Sequence, residues 1–247
     1  MDKSYEQKYH DLESVHWWFK GRRDAVLRFF KDIPRDARIL DIGCSSGHLL
    51  SDLTELGFDK NNLYGIDISE EGVNLARERG FKNCFVMDGS QPTFANERFD
   101  VIISSDSLEH MEFDERALKN WFELLNSNGT LMVFVPAFMF LWSDHDEVNH
   151  HFRRYTVSSL SDKIKAAGFN VSKKGYWNSI LFPLIAGVRM TQKLLPGGKD
   201  HEPEDDLSLP SGLVNKALSG LLGLENAMIR TVTLPFGVST FCIAEKP

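Results

Sequence analysis

Asp41-Ile42-Gly43-Cys44-Ser45-Ser46-Gly47 places an acid, two glycines and two serines within one short stretch, and two kinds of chemistry fit that spacing. Gly43-x-Ser45-x-Gly47 matches the strand-to-helix turn on which some hydrolases expose a nucleophilic serine. With Asp41 in front, the same residues fit an acidic, glycine-rich loop whose backbone cradles a nucleotide-like cofactor. The two readings need different surroundings. A nucleophile elbow follows several strands, one of whose loops supplies half of an oxyanion hole. Here a single strand-like run precedes Ser45, and no HGGG-like loop is present. Ser45 therefore reads as a small residue in the turn of a cofactor loop, not as a nucleophile.

Polar or acidic residues recur wherever an apolar run stops. Asp67 closes LYGID, Asp88-Gly89 closes CFVM, and Ser104-Ser105-Asp106 closes FDVII. In an open α/β sheet, a carboxylate at the tip of the second strand meets the two hydroxyls of a ribose. Ligands bind along that edge, near the point where strand order reverses. A plainer role for such acids is to cap the helices that follow, and Asp106 suits it. Four successive polar tips nevertheless form a chain-wide pattern, which a lone five-residue motif does not.

The elements that must position these residues are legible too. ARILDIG, NLYGIDIS, NCFVMDG, FDVIISSD and GTLMVFVP are apolar runs of strand length. They are near-continuous, as in strands buried on both faces of a parallel sheet. Between them His48–Leu56, Glu70–Arg79 and Asp114–Leu125 have helix-forming composition, with Gly57 and Gly80 at C-cap positions and Ser69 as an N-cap. This rhythm predicts a doubly wound, mostly parallel α/β sheet. Residues 137–155 read as a long loop rich in aromatic, acidic and histidine residues. Thr156 then caps a helix to Ala167, 170–177 read as a strand, and GVSTFCIAEK closes the chain as the seventh. Two apolar helical stretches, Ile180–Val188 and Leu213–Ile229, flank an acidic spacer, LLPGGKDHEPEDDLSLPSG. They make 179–235 an insertion before the last strand, expected to cover the substrate side. A partner surface, membrane-surface docking and ordinary core burial are the alternatives.

The 247 residues are 42% hydrophobic and 26% charged, an ordinary soluble balance. A net charge of −7 argues against a broad nucleic-acid footprint, which needs clustered Lys and Arg. Cys44, Cys84 and Cys242 are odd in number and widely spaced. They give neither a metal-ligand pattern nor a disulfide framework, so a reducing, cytoplasmic setting is expected. MDKSYEQKYHDLE lacks the apolar stretch of a signal peptide. The most apolar run, Ile180–Val188, contains Pro183 and stops at Arg189, well short of the about 20 residues that span a bilayer.

Taken as a set, these segments resemble the class I S-adenosylmethionine-dependent methyltransferases over roughly residues 37–136, and the closing strand fits as well. LDIGCSSGHL resembles their first motif, with Ser45 where glycine is more usual; GIDIS resembles the acidic second, VMDG the third and FDVIISSDSLEH the fourth. HWWFKGRR and HDEVNHHFRRYT resemble outer segments of a bacterial and archaeal branch often called type 11 or type 12. The resemblance implies a Rossmann-like methyltransferase fold in one domain, 1–247. Its parts are an N-terminal lid (1–36), a cofactor core (37–136), a substrate loop, helix and strand (137–178), a helical cover insertion (179–235) and the final strand (236–247).

It also implies S-adenosylmethionine as cofactor, held by Asp41, Gly43, Cys44, Ser45, Gly47, Asp67, Ile68, Asp88, Gly89 and Ser105, with Phe19 and Arg22 reaching in from the lid. Asp41 would direct charge to the ammonium, Asp67 would take the ribose hydroxyls, Ile68 would pack on the adenine and Asp88 would accept from its amine. His110, His145 and His151 are the candidate bases, because histidine titrates near neutral pH, and Asp146 stands close enough in sequence to orient one. Trp142, Asp146, Arg154 and Tyr155 are the candidate substrate contacts. A guanidinium fork there suits an anionic group, while an ion pair anchoring the loop to Asp144 or Asp146 serves equally well. Asp106-x-x-Glu109-His110 resembles the acid-and-histidine set of ubiquinone-type O-methyltransferases, where a divalent ion can bind, but no metal is assigned from it.

The expected activity is methyl transfer to a small molecule. SSDSLEH lacks the Asn/Asp-Pro-Pro-aromatic motif of nucleic-acid amino-methylation. A nicotinamide dehydrogenase would prefer G-x-G-x-x-G, which Gly43-x-x-x-Gly47 does not supply. A cofactor-binding partner protein without catalysis is the non-enzymatic alternative. Peripheral membrane contact and a homodimer both stay open.

Overall fold

A computed structural model describes residues 9–194 and 208–247. Seven strands form one sheet: β1 (Ile39–Ile42), β2 (Leu63–Asp67), β3 (Cys84–Val86), β4 (Phe99–Ser105), β5 (Leu125–Pro136), β6 (Asn170–Trp177) and β7 (Ser239–Glu245). Their order is β3-β2-β1-β4-β5-β7-β6. β1 lies parallel to both β2 and β4, and β7 runs antiparallel between β5 and β6. Strand order therefore reverses at β1, which opens a crevice above the tips of β1 and β4.

The helices are α1 (Trp17–Leu27), α2 (His48–Glu55), α3 (Glu70–Glu78), α4 (Asp114–Leu124), α5 (Asp144–Val148), α6 (Val157–Ala166), α7 (Phe182–Leu194) and α8 (Gly212–Met228). Side chains alternate across each strand, so the sheet buries two cores. Ile39, Val101, Ile103, Met132, Phe134 and Phe241 pack under α1, α2, α3 and α8. Leu40, Ile42, Ile102, Leu131, Val133 and Cys242 pack under α4 and α6. Each buried aliphatic or Phe side chain contributes roughly 1.5–3 kcal/mol, and this two-sided burial is why the strand runs lack polar alternation.

The expected caps form: Ser69 accepts from Gly72 N–H and Thr156 from Ser159 N–H. Two expectations need correction. Residues 137–155 are more than a loop, because they hold a 3-10 turn at Met139–Leu141 and the short α5, closed by a capping box between Ser143 and Asp146. β5 begins at Leu125, where the helix was expected to end, because Leu125 already pairs with Phe99. The acidic spacer lies largely outside the described residues. Among those described, no helix is long and apolar enough to cross a membrane.

Candidate active site

β1 delivers the loop that starts the site. Gly43 and Cys44 N–H both donate to Ile66 O, at 2.8 and 3.1 Å, which ties the loop to the tip of β2. Gly43 sits at φ +81°, and a Cβ there would fall 2.7 Å from Ser107 Cβ. Only glycine suits that position. Ser45 is also left-handed, at φ +47°. Its N–H donates to Asp67 Oδ2 at 2.8 Å, and Ser69 N–H donates to Oδ1 at 2.9 Å. The Ser45 hydroxyl meets His10 Nδ1 at 3.2 Å, and Glu13 Oε2 meets the same nitrogen at 3.2 Å, so the ring does not link serine and acid through opposite nitrogens as a hydrolase triad does. Gly47, at φ +78°, then starts α2 with no side-chain cap.

These residues open on a cavity of about 560 Å³, a size that suits a cofactor. Asp41, Gly43, Cys44, Ser45, Asp67, Ile68, Asp88, Gly89, Ser105, Phe19 and Arg22 all line it, whereas Gly47 shapes the turn from outside. Ile68 is 78% exposed at the rim, a placement no core residue would take. Asp88 holds Ser90 N–H at 2.7 Å, and Gly89 O accepts from Trp121 Nε1 at 2.8 Å. The wall is strongly acidic. Burial, with Asp67 and Glu13 nearby, pushes Asp41 up to about 8; burial also raises Asp67.

α1 brings Arg22 to the opposite wall. Its Nη2 donates to Asp106 Oδ1 at 2.9 Å and to Ser239 Oγ at 2.8 Å, among the rings of Trp18, Phe134 and Trp177. Nε and Nη1 are buried with no hydrogen-bond partner. The faces of those rings take up part of the guanidinium charge, the Trp177 ring at 4.5 Å. Asp106 is therefore an ion-pair partner at φ +55°, not a helix cap. The aromatic N-terminal segment divides in two. Trp18 packs edge-on against Trp177, centroids 5.0 Å apart, while Phe19 packs on Tyr9 and faces the cavity.

Beyond β5, Asp146 is fully buried and binds three groups. Its carboxylate takes a two-pronged fork from Arg154, 2.8 Å at each oxygen, His151 Nδ1 at 2.9 Å and Ser143 N–H at 2.9 Å. Burial works against its charge, but the bonds from His151 and Arg154 prevail and hold the carboxyl below its usual range. Of the two roles weighed for Arg154, the loop-anchoring ion pair is the one formed. Tyr155 is buried and donates to Asp114, and Trp142 donates to Glu147. None of Trp142, Asp146, Arg154 and Tyr155 lines the cavity.

Among the histidines, His110 lines the cavity, and His145 and His151 do not. His151 stands behind it, edge to face at 4.5 Å, with His145 5.9 Å further back. Burial and neighbouring His151 lower His110 to about 4, so it is neutral at neutral pH. Glu109 is wholly buried with both carboxyl oxygens unpartnered, and burial beside Asp106 raises it well above the carboxylate range. Glu109, His110 and His151 each bring one ligand atom within 4.8 Å of the others, a group able to hold a metal ion.

Sequence reasoning missed Tyr9, His10, Glu13, Asn149, His150 and Phe152, all on the cavity wall. Tyr9, His10 and Glu13 lie in no motif, and the resemblance of HDEVNHHFRRYT gave Asn149, His150 and Phe152 no role; the fold of residues 9–27 and 143–155 over the strand tips brings them in. Among the described residues of 179–235, none lines the cavity. α8 instead packs on α1, where Asn226 Nδ2 donates to Gly21 O at 2.8 Å.

A doubly wound sheet, an acidic glycine loop at its switch point and acids at successive strand tips define a cofactor-dependent transferase of the Rossmann-like kind. A family model described as Methyltransferase domain matches residues 14–174, and the chain belongs to that family, the S-adenosylmethionine-dependent methyltransferases. Aklanonic acid methyltransferase DauC of Streptomyces sp. strain C5 is 33% identical over 107 residues, covering 41% of this chain and 49% of that one. The tRNA (carboxymethyluridine(34)-5-O)-methyltransferase of Macaca fascicularis is 27% identical over 174 residues, covering 67% and 24%. The chain thus spans about half the length, or less, of these curated relatives. The fold is also that of the methyltransferase solved with the Haloferax volcanii Trm112 methyltransferase activator. That match has a TM-score of 0.64 and 17% identity and covers 99% of this chain and 95% of that one.

Proposed function

We propose that this protein transfers the methyl group of S-adenosylmethionine to a small organic acceptor with an apolar or anionic part. The observation that carries the reading is a single shared cavity, faced by the Gly43 loop, Asp67, Arg22 and His110. The bound cofactor supplies an electrophilic methyl on a sulfonium, and displacement at carbon gains most from orientation and exclusion of water. Backbone from Gly43 to Gly47 approaches it closely. Asp67 accepts from the ribose hydroxyls, Ile68 lies on the adenine face, and Asp88 accepts from the adenine amine, with Gly89 and Ser105 beside them. Asp41 faces the ammonium and Arg22 the carboxylate. The N-terminal segment acts as a lid through Phe19, at the aromatic side of the cavity.

His110 is the residue placed to receive a proton from the acceptor, since it alone of the three candidates reaches the cavity wall. His151 and Asp146 position it: Asp146 fixes the His151 ring, and that ring braces His110. Asp146 and Arg154 hold the acceptor-side loop in shape, with Trp142 and Tyr155 set in the surrounding frame.

A cavity of about 560 Å³ in a chain of net charge −7 favours a small acceptor over RNA, in keeping with the name of the Streptomyces relative. A tRNA acceptor is the second reading, favoured by the Macaca relative. Turnover with methyl-labelled cofactor on small phenols and carboxylic acids, run beside bulk tRNA, separates the two. Label in small products supports the proposal, and label confined to tRNA overturns it. Tight calorimetric binding of NAD in place of S-adenosylmethionine would remove the cofactor assignment itself.

A further inference from the structure

Residues 9–13 are helical and lie against the glycine loop. His10 and Glu13, three apart, share a face of that helix, and both are buried on the cavity wall. The Ser46 hydroxyl donates to Glu13 Oε2 at 2.5 Å, and His10 Nδ1 stands 3.2 Å from the same oxygen. The backbone is fixed as well, since Arg23 Nη1 donates to Glu13 O at 2.7 Å. The contacts to the carboxylate thus fall on one oxygen. Among the described residues no hydrogen bond is made to Oε1, although the side chain is only 10% exposed and lines the cavity.

Tying residues 9–13 to the loop needs Oε2 alone, so the open oxygen points to a further partner. Its surroundings set the charge of that partner. Asp41 is 3% exposed, lines the same cavity and has no hydrogen bond to its carboxyl among the described residues. Burial opposes the ionisation of Asp41 and Asp67, and the Glu13 carboxylate beside them opposes it further. The two arginines of the wall point their donors elsewhere, Arg22 to Asp106 and Ser239, Arg23 to Asp52 and Glu13 O. Buried carboxyl groups that crowd one another in this way are stabilised by a cationic ligand. S-adenosylmethionine carries two cations. Its sulfonium has no N–H to offer, whereas its α-ammonium has three donors, as a lysine ammonium does. Asp67 already accepts from Ser45 and Ser69 N–H, which leaves Glu13 Oε1 and the Asp41 carboxyl as the open acceptors.

We propose that Glu13 is a cofactor-binding residue, its open oxygen accepting from the α-ammonium of S-adenosylmethionine alongside Asp41. The inference rests on the reading that places this ammonium at Asp41. The N-terminal segment then closes the amino-acid end of the site by touching the ligand itself, and bound cofactor holds residues 9–13 down on the glycine loop. A ligand without the ammonium gains nothing from Glu13.

Calorimetry on the full chain with two ligands isolates that contact. S-adenosylhomocysteine carries the ammonium; methylthioadenosine keeps the adenine, ribose and sulfur and lacks the amino acid. Glu13→Gln should weaken S-adenosylhomocysteine by about tenfold or more and methylthioadenosine by less than about twofold. Equal losses for both would make Glu13 a tie between segment and loop and overturn the proposal, as would unchanged affinity for both. Hydrogen exchange on the unaltered protein asks the same question without a variant. At equal saturation, S-adenosylhomocysteine should slow exchange in residues 9–13 and methylthioadenosine should not; equal protection by the two overturns the proposal. An unaltered protein that binds neither ligand would remove the cofactor reading beneath it, a failure distinct from loss of the Glu13 contact alone.

Discussion

The strand tips of β1–β4 and the segment between β5 and α6 build facing parts of one site by different means. At the strand tips, polar groups are held by nearby backbone: Asp67 by Ser45 and Ser69 N–H, Asp88 by Ser90 N–H, Gly43 by Ile66 O. Beyond β5, charged side chains hold one another. Asp146 gathers Arg154, His151 and Ser143, and across the cavity Arg22 joins residues as distant as Asp106 and Ser239. Such a cradle tolerates loss of its side chain better, because the groups left behind are neutral N–H donors beside a cavity that water can enter. A buried charge network does not, because removing one member leaves another ionised and unpaired.

The sharpest break in that comparison comes from Asp146→Asn. Arg154 would keep its charge with side-chain exposure of only 8%, so unfolding stability should fall by about 3–5 kcal/mol. Urea titration measures this, and a loss under about 1 kcal/mol would mean that the network contributes no more than a surface pair.

At the strand tips, Asp67→Ala should act on the ligand more than on the fold. Two charge-assisted bonds to ribose are at stake, at about 1.5–3 kcal/mol each. Calorimetry should show cofactor affinity lowered by about tenfold or more. Unchanged affinity in a folded variant would take Asp67 out of the site.

A milder probe is pH. Asp41 is pushed up to about 8 by burial, Asp67 and Glu13, so below that pH the free protein holds the proton. The cofactor's ammonium favours ionised Asp41, and binding then releases the proton. Affinity must accordingly rise with pH toward 8 and level off above it, by about tenfold per unit at the steepest. Asp41→Asn should flatten the profile, and an unaltered profile in that variant would place the titrating group elsewhere.

The smallest change expected is that of Ser45→Gly. It relieves a left-handed serine at φ +47° and gives up the hydroxyl contact to His10. These effects oppose one another, each on the order of 1 kcal/mol. Stability and turnover should stay near those of the parent. Abolished turnover with cofactor binding intact would restore a chemical role to the hydroxyl.

How much of this was legible beforehand follows the same division. The glycine loop, Asp67, Ile68, Asp88 and Ser105 could be placed from sequence because each sits within a few residues of a strand end, and strand ends are marked by local apolar runs. Arg22 and Phe19 were reached only through resemblance, and His10 and Glu13 not at all, because nothing near them in the chain signals a cavity. The choice among His110, His145 and His151 was likewise beyond local pattern. All three are histidines near the acceptor side, and only packing sets one on the wall and the others behind it.

By itself, then, the sequence determined the order of elements, the α/β class and the cofactor loop, because hydrophobic periodicity and turn chemistry act over a few residues. Tertiary structure alone decided that Arg154 would be bound by Asp146, that α8 would pack on α1 instead of covering the cavity, and that α7 would present apolar side chains to solvent. Those outcomes rest on which distant surfaces exclude water from one another. A charged or apolar side chain carries the same letter in the sequence whether its partner arrives or not.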